Sequence, residues 1–274
     1  MEDCFAGGRQ KGERCGRCAF CVLKLGCNNS KMRFCNIEFN ILKKSDLFTR
    51  TAGETKCIAT VNAQFIVLAN TDERYMNYIN SNYATFDGEI PLKMAKKYSA
   101  EFAEAEKLPG SEIIYDFCKF AKDNDLRMFF LGGYEDSNRE AVNIVKEKYG
   151  IEIEGYSPPY EKYPFSETFI NNCMERIAYF KPDIIFVGFG APKQEWFIEE
   201  QLPELSELGV KYVVGSGGTF EFVSGKIKRA PAWISKIGLE SVYRLFQEMN
   251  TARLKRILYS FKFLKYMNHK PDWC

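Results

Sequence analysis

The sequence predicts an α/β protein with a mostly parallel sheet flanked by helices. From about Cys57 onward, short apolar runs alternate with stretches in which apolar residues recur at helical spacing, which is typical of consecutive βα units. The run from Ile184 to Val187 is apolar at every position, as expected for a parallel strand covered on both faces. The length of 274 residues and the hydrophobic content of 46% are sufficient for a sizeable core.

The first βα units place polar side chains at strand ends. Residues 57–62 (CIATVN) are predicted to form a strand, followed by a helix over Ala63–Ala69. Residues 82–86 (NYATF) form a second short strand that ends at Asp87 and Gly88. Because the carboxyl ends of parallel strands meet at one edge of a sheet, the side chains that follow both strands are expected to line a common crevice.

The next elements repeat the alternation. We expect Ser137 to cap a helix that ends at Gly150, since serine is a good helix N-cap and glycine favours helix C-termini. The preceding strand ends at Gly132 and Gly133. In order, the elements are a helix at 111–125, a strand at 127–133, a helix at 137–150, a strand at 151–156 and a helix at 166–180.

Two glycine-bearing strand ends are the most informative feature of the chain. In the segment 183–195 (DIIFVGFGAPKQE), Gly188 and Gly190 follow the apolar run and allow the backbone to approach a ligand. Proline is favoured at the first position of a helix, so Pro192 predicts a helix start. The backbone amides near Lys193 and Gln194 are then expected to point outward, unpaired, toward an anion. The alternative for this first turn, which includes Glu195, is an ordinary exposed helix start.

The segment 210–231 repeats this arrangement with Gly215, Gly217 and Gly218. Two such ends on neighbouring strands outline a crevice for a phosphorylated ligand. Arginines beyond them offer fixed positive charge for a diphosphate, although each one alone is also an ordinary surface charge. These arginines are Arg229, Arg244, Arg253 and Arg256.

Composition and charge narrow the class of protein. The formal net charge is +2, but residues 1–33 hold seven Lys or Arg against three acids, and residues 251–274 hold six against one. Basic ends on an acidic body argue against general nucleic-acid binding and indicate local contact with phosphates or an anionic membrane. The sequence has no run of 18 apolar residues and no N-terminal apolar stretch typical of a signal peptide. We therefore expect a cytoplasmic protein.

The two ends of the chain differ from its middle. We divide it into a Cys-rich arm (1–35), a catalytic α/β domain (36–225) and a basic helical appendage (226–274). In the appendage, one helical stripe is apolar and is flanked by Lys255, Arg256, Lys262 and Lys265, which suits an anionic membrane surface. A helix packed on the core with a solvated basic face is the alternative. The stripe comprises Leu254, Ile257, Leu258, Phe261 and Leu264.

The N-terminal cysteines are a second candidate site. Cys15, Cys18, Cys21 and Cys27 are spaced closely enough to surround zinc or an iron–sulfur cluster. The spacing of the fourth cysteine departs from the ferredoxin pattern, and a reduced arm without metal is the alternative.

Several chemistries are disfavoured. The single histidine, His269, lies in the tail, so histidine-based triads and His-rich metal sites are excluded. The sequence contains no phosphate-binding GxxxxGK[ST] motif. The Asp-X-Asp at 123–125 is interpreted as a turn that ends a helix.

Asp87 is a candidate general base, and an ordinary Asp-Gly turn is the alternative. Thr60 and Asn62 are expected either to line the same edge of the sheet or to serve as helix caps.

Three segments carry a resemblance to a known family. GFGAPKQEWFI (188–198), VGSGGTFEFVSGKIKRAPAW (214–233) and GLESVYRLFQE (238–248) resemble the WecG/TagA/CpsF family of glycosyltransferases. The likeness extends from about residue 34 to 256. Supporting blocks lie at 60–62, 87–88, 110–112 and 131–133.

The resemblance implies a Rossmann-like α/β fold with a C-terminal appendage, and metal-independent transfer with inversion. Family members move a sugar, often N-acetylmannosamine or its uronic acid, from a UDP donor to a polyprenyl-diphosphate-linked N-acetylglucosamine. By that resemblance Asp87 is the base, and Thr60 and Asn62 support the acceptor or the reacting centre. Gln194 and the glycine-rich ends hold the donor, and the basic C-terminal region closes over the site and meets the membrane.

This sequence departs from the family pattern at a few positions. Val61 and Phe86 stand where the family often has proline, and Ser241 replaces a usual tryptophan. The proposed base is unaffected, and the changes bear on the acceptor and on membrane docking. A non-catalytic nucleotide-sugar-binding or scaffold protein with a metal-binding arm is the alternative function, and a homo-oligomer is left open.

Overall fold

A six-stranded parallel sheet forms the centre of the fold. The computed structural model describes residues 31–231, 233–234, 237–248 and 251–268, without the side chains of residues 248, 252, 253 and 268. The strands are β1 (Lys31–Phe34), β2 (Ile37–Asn40), β3 (Lys56–Val61), β4 (Tyr83–Phe86), β5 (Met128–Gly132), β6 (Ile153–Tyr156), β7 (Ile184–Gly188) and β8 (Tyr212–Gly215). β1 and β2 form an antiparallel hairpin, and the sheet order is β4-β3-β8-β7-β5-β6. The pairings in this sheet are parallel, which confirms the predicted fold class.

Helices connect the strands. They are α1 (Ala63–Ala69), α2 (Glu73–Ser81), α3 (Glu89–Tyr98), α4 (Gly110–Asp123), α5 (Glu135–Tyr149), α6 (Glu167–Phe180), α7 (Lys193–Glu207), α8 (Thr219–Val223), α9 (Glu240–Glu248) and α10 (Thr251–Ser260). Short 3₁₀ helices lie at Lys44–Phe48, Ala100–Phe102 and Phe261–Asn268. The predicted bounds of α1 are confirmed.

The predicted start of α5 is wrong. Its N-cap is Tyr134, and Ser137 lies buried inside the first turn. Glu135 and Asp136 precede Ser137 in that turn, where acidic side chains interact favourably with the positive end of the helix dipole. The predicted end is confirmed, since Gly150 adopts the left-handed conformation with φ 66°.

Both faces of the sheet are covered by hydrophobic residues. In β7, Ile185 and Val187 belong to the cluster on one face, whereas Ile184 and Phe186 belong to the cluster on the other. All four side chains are fully buried. This two-sided burial accounts for the uninterrupted apolar run that the sequence shows.

The β1–β2 hairpin crosses the boundary that we predicted at residue 35. Phe34 and Cys35 are buried in the larger core cluster. The side-chain amide of Asn70 donates to the carbonyl of Cys35 over 2.9 Å. Core packing in the described chain therefore includes residues that the composition had assigned to the Cys-rich arm.

The C-terminal segment packs on the outside of α1. Both α10 and the following 3₁₀ helix contact α1, and the hydroxyl groups of Tyr259 and Thr71 lie 3.5 Å apart. The chain changes from α to 3₁₀ geometry after Ser260. Phe263 is 3% exposed, and Tyr259, Tyr266 and Met267 pack against the same core cluster. The continuous α-helical stripe that we predicted is thus interrupted.

Candidate active site

The polar and glycine-rich strand ends meet at one edge of the sheet. Paired positions are Val61 with Phe86, Ala59 with Gly215 and Gly132 with Gly188. The strands β7 and β8 are direct neighbours, which confirms that the two glycine-bearing ends are adjacent. Asp87, Asn62 and both glycine segments therefore follow strands that end on the same side of the molecule.

Asp87 and Asn62 contact each other at the carboxyl ends of β4 and β3. The Asp87 amide donates to the Val61 carbonyl over 3.0 Å. The side-chain amide of Asn62 lies 3.4 Å from an Asp87 carboxyl oxygen. The Asn62 oxygen accepts from the amides of Gln64 and Phe65. Asn62 therefore caps α1 and orients toward Asp87 at the same time, so both predicted roles are compatible with the geometry.

The surroundings of Asp87 raise its pKa from 3.8 to about 7, chiefly because burial disfavours the charged form. The carboxylate of Glu240 raises the pKa further, and Glu112 acts in the same direction. The hydrogen bond from Asn62 and the positive charge of Lys107 lower it. A pKa near neutrality is the property that a general base requires at physiological pH.

Sequence reasoning missed Lys107 and Glu240. Lys107 pairs with Phe86 in an isolated parallel bridge, and its ammonium group lies 3.6 Å from a carboxylate oxygen of Glu112. No spacing pattern pointed to Lys107. Glu240 lies in a segment that carries the family resemblance, but its proximity to Asp87 depends on the tertiary structure.

Thr60 is buried near the carboxyl end of β3, next to β8. Its hydroxyl donates to the Gly215 carbonyl over 3.1 Å, and the residue is 5% exposed. A Cβ placed on Gly110 would lie 3.5 Å from this hydroxyl oxygen and 3.4 Å from the Ser216 Cα. The N-terminus of α4 therefore closely approaches β3 and β8, which brings the positive end of a 14-residue helix to the site.

Aromatic rings occupy the space beside three of the predicted ligand-binding glycines. A Cβ on Gly132 would lie 2.7 Å from the Phe189 ring. A Cβ on Gly133 or Gly188 would lie 2.7 or 2.8 Å from the Phe220 ring. Packing of these rings is sufficient to explain glycine at the three positions, and their contact with a ligand stays a prediction.

The remaining glycines differ in their surroundings. A Cβ on Gly190 or Gly217 would meet nothing within 4 Å, and both have positive φ values, of 77° and 52°. A Cβ on Gly215 would lie 3.1 Å from the Gln194 side-chain nitrogen, and one on Gly218 would lie 3.4 Å from an Arg244 guanidinium nitrogen. Gly190 and Gly217 therefore flank open space, while Gly215 and Gly218 make room for polar side chains.

The first turn of α7 is largely buried, so the alternative of an ordinary exposed helix start is wrong. Pro192 is its N-cap, and Lys193 is the first helical residue. The Lys193 ammonium group donates to the Glu161 carbonyl over 3.2 Å. Gln194 and Glu195 are 1% and 2% exposed. The backbone amide of Gln194, which we expected to face an anion, instead donates to the Gly190 carbonyl over 3.1 Å. Direct contact of these side chains with a donor stays a prediction.

Two of the four predicted arginines lie beside the crevice. The guanidinium group of Arg229 donates to the carbonyl of Ser111 in the first turn of α4 and lies 5.2 Å from the Tyr115 ring centroid. The guanidinium group of Arg244 lies 4.3 Å from the Phe222 ring centroid, next to Gly218. Arg229 thus lies at the first turn of α4, and Arg244 lies beside Gly218 together with the Glu221 carboxylate, and contact of either arginine with an anion stays a prediction.

The described residues between α8 and α9, among them Lys228 and Gly238, approach α9 and the start of α3. The Gln247 side chain makes two hydrogen bonds with the backbone of Lys228, which ties α9 to the start of this segment. A Cβ on Gly238 would lie 2.6 Å from the Ile90 side chain, so the segment approaches the first turn of α3 closely. Its next charged residue, Glu240, acts on Asp87.

The other two arginines lie farther along the appendage, on α10. The side chain of Arg256 is exposed and forms no hydrogen bond or ion pair with the described residues. The side chain of Arg253 lies outside the described residues. Leu254, Leu258, Phe261 and Leu264 are each between 42% and 62% exposed, so most of the predicted apolar stripe faces solvent. In the described chain, no helix is long and apolar enough to cross a membrane.

The predicted metal ligands Cys15, Cys18, Cys21 and Cys27 lie outside the described residues, so that site stays a prediction. The cysteines at 35, 57, 118 and 173 are free thiols. Each of them is buried, and burial raises the pKa of each thiol to about 12. They are therefore protonated and unreactive at neutral pH.

Comparison with known proteins identifies the family. The model of the glycosyl transferase WecG/TagA/CpsF family matches residues 32–270. A relative from Staphylococcus aureus strain MRSA252, named N-acetylglucosaminyldiphosphoundecaprenol N-acetyl-beta-D-mannosaminyltransferase, is 29% identical over 226 residues, covering 80% of this chain and 83% of the relative. Proteins of the same name from strains NCTC 8325 and MW2 are 29% and 28% identical over the same share. The chain therefore belongs to the WecG/TagA/CpsF family and is a glycosyltransferase.

Proposed function

We propose that this protein transfers N-acetylmannosamine or a related hexose from a UDP donor to a polyprenyl-diphosphate-linked N-acetylglucosamine, in the synthesis of a cell-surface polysaccharide. The name of the Staphylococcus aureus relatives, which specifies an undecaprenol-linked acceptor and a β-mannosaminyl product, supports this choice. Family membership favours the enzyme over the non-catalytic binding protein that the sequence left open.

The observation that carries the proposal is the environment of Asp87. Its carboxyl group lies at the carboxyl edge of the sheet, contacts Asn62, and has a pKa raised to about 7 by burial. A carboxylate with that pKa takes up the proton of a sugar hydroxyl more readily than an ordinary aspartate does.

The reaction is a single displacement with inversion. The acceptor oxygen bonds to the anomeric carbon of the donor as the bond from that carbon to the UDP oxygen breaks. The acceptor proton passes to Asp87, and UDP leaves with the bonding electron pair. A donor in which UDP is α-linked gives the β-linked product that the relatives' name specifies.

Fixed positive groups would stabilise the departing UDP without a metal ion. The α4 N-terminus lies beside Thr60, Arg229 is bonded to the first turn of α4, and Arg244 lies beside Gly218. Helix N-termini and arginines held in place before the reaction stabilise developing negative charge. In this proposal the donor occupies the β7–β8 side of the crevice, and the acceptor occupies the side near Asp87.

The appendage would bring the site to a membrane-bound acceptor. Exposed Leu258 and Phe261 stand beside the exposed cations Lys255, Arg256 and Lys262, and this combination favours binding to an anionic surface. We therefore propose a cytoplasmic protein held at the inner face of the cell membrane.

The direct test is a panel of UDP-sugars incubated with the purified full-length protein and a short-chain lipid-diphosphate-N-acetylglucosamine analogue. We expect one donor to give a disaccharide-lipid whose new linkage is β by NMR. Retention of the donor configuration would contradict the displacement, and UDP binding without turnover across the panel would contradict the assigned reaction. Addition of a chelator separates a metal-independent enzyme, whose rate is unchanged, from a metal-dependent one.

A further inference from the structure

A single side-chain oxygen joins the two glycine loops. The Gln194 carbonyl oxygen accepts from the amide of Gly190 over 3.1 Å and from the amide of Gly217 over 3.0 Å. Gly190 follows β7 and Gly217 follows β8. Because Gln194 is 1% exposed, water does not compete for these bonds, and the side chain fixes the separation of the two loops.

The orientation of this amide depends on its neighbour, Glu195. The Gln194 side-chain nitrogen donates to a Glu195 carboxyl oxygen over 2.7 Å. Rotating the amide by half a turn would place its NH₂ group against two backbone N–H donors and its oxygen against the carboxyl group. The first contact would set donors against donors, and the second would set an acceptor against the charged carboxylate, so the observed orientation is favoured.

Other residues leave room for this pair and hold it in place. A Cβ on Gly215 would lie 3.1 Å from the Gln194 nitrogen and 3.6 Å from the Glu195 oxygen. The buried hydroxyl group of Tyr75, from α2, lies near the same carboxyl group and lowers its pKa, although it forms no hydrogen bond among the described residues. The ring of Tyr75 packs edge-on against Trp196, with ring centroids 5.7 Å apart. Burying an acidic group in such surroundings is costly, so its presence requires an explanation beyond core packing.

We propose that Glu195 is a positioning residue that fixes the Gln194 amide, and through it the two glycine loops, in the geometry that receives the donor diphosphate. The positioning of the loops follows from the contacts above. Only the identity of the ligand as a donor diphosphate rests on the proposed function. Glu195 itself is 2% exposed and acts through Gln194 and the loops.

Two substitutions of Glu195 separate this role from general stability. Glu195→Met removes the acceptor at similar volume, whereas Glu195→Gln keeps an oxygen that can accept from Gln194. Tyr78→Phe is the matched control, because Tyr78 is equally buried but its hydroxyl contacts Cys57 at 3.3 Å. Amide hydrogen exchange at Gly190 and Gly217, measured by NMR, reports on the loops directly, and UDP affinity is measured by calorimetry.

In Glu195→Met we expect the exchange rate at both glycines and the Kd for UDP each to rise by about 10-fold. This factor corresponds to the loss of one hydrogen bond of ordinary strength. Glu195→Gln and Tyr78→Phe should resemble the wild type. Wild-type exchange in Glu195→Met, or equal losses in Glu195→Met and Glu195→Gln, would overturn the proposal. If Glu195→Met does not fold, Glu195→Leu removes the same acceptor and carries the same expectations. Absence of UDP binding by the wild type would contradict the proposed donor, while the exchange result would still decide whether Glu195 positions the loops.

Discussion

The Asp87 carboxyl group lies between neighbours that act on its pKa in opposite directions. Glu240 raises the pKa by repulsion, and Asn62 lowers it by donating a hydrogen bond to the charged form. Glu240 reaches Asp87 from the start of α9, whereas Asn62 reaches it from the end of β3. The strength of the proposed base therefore depends on both the sheet and the appendage.

This balance predicts opposite pH shifts for two variants. The rate, measured as kcat/KM, should rise with pH through about 7 as Asp87 loses its proton. Glu240→Gln should move this limb to lower pH, and Asn62→Ser, which keeps a residue able to cap α1, should move it to higher pH, each by roughly half a unit. A common direction of shift, or an unchanged limb in both, would contradict the assignment of the limb to Asp87.

The buried Glu195 carboxyl group should make the free energy of unfolding depend on pH. Burial raises its pKa from 4.5 to about 7, so the folded state binds this proton more tightly than the unfolded chain does. Its contribution is fully present below about pH 4.5 and is lost as pH rises through 7. In Glu195→Gln, the fall in unfolding free energy between pH 5 and pH 8 should be smaller by about 2 to 3 kcal/mol.

Urea unfolding at the two pH values measures this difference. Glu204→Gln, an exposed position on the same helix, is the control and should keep the wild-type pH dependence. An equal fall in wild type and Glu195→Gln would show that the buried carboxyl is not protonated near neutrality.

Among the secondary-structure elements, β5 and β7 end in glycines that serve helix packing, in addition to the ligand contact that we predicted. Phe220, on α8, stacks on Phe130 with centroids 4.8 Å apart and covers Gly133 and Gly188. These glycines allow α8 to approach the sheet, which in turn places Gly217 and Gly218 at the crevice. Close helix packing thus accounts for Gly133 and Gly188, whereas the approach of a ligand to the other glycines stays a prediction.

Gly188→Ala tests this division. The added Cβ would lie 2.8 Å from the Phe220 ring and 3.0 Å from the Gly217 carbonyl oxygen, and overpacking of this kind costs about 1–3 kcal/mol. A Phe220→Leu change in the same chain should recover part of that loss in a double-mutant cycle of thermal unfolding. Unchanged stability together with lost UDP binding would instead assign Gly188 to the ligand.

The appendage elements combine a buried anchor with an exposed apolar surface. Phe263 is 3% exposed and Leu258 is 62% exposed, so the same segment packs on α1 and presents apolar side chains to solvent. The alternatives that the sequence left open, packing on the core and contact with a membrane, are compatible because different residues carry them.

Leu258→Glu is expected to weaken binding to vesicles that contain an anionic phospholipid. Loss of one leucine from the membrane interface removes about 1.5–3 kcal/mol, so the partition coefficient should fall at least about 10-fold. Tyr179→Glu, at an exposed position on α6, is the control. If both variants sediment with vesicles to the same extent, α10 does not form the membrane contact.

For the molecule as a whole, the sequence predicted what depends on local pattern. The alternation of apolar runs and helical periods indicated the parallel sheet, and parallel strands necessarily end at one edge. This rule alone places Asp87, Asn62, Thr60 and the glycine segments on one side of the molecule. The family resemblance then supplied their expected roles.

Features that depend on distant contacts could not be predicted in this way. The rings that occupy the space beside Gly132 and Gly188 come from Phe189 and Phe220, whose directions are set by tertiary packing. Lys107 and Glu240 reach Asp87 from separate segments. The burial of Gln194 depends on two loops, one of which contributes a partner 23 residues away along the chain.

Removal of the Asp87 carboxylate tests the proposed chemistry of the whole protein most directly. Asp87→Asn keeps the shape of the side chain but cannot accept the acceptor proton. With the preferred donor and the lipid-linked analogue, we predict that the transfer rate falls by roughly 10²- to 10⁴-fold, while UDP affinity by calorimetry stays within about twofold of the wild type. Full transfer activity in Asp87→Asn would contradict the account.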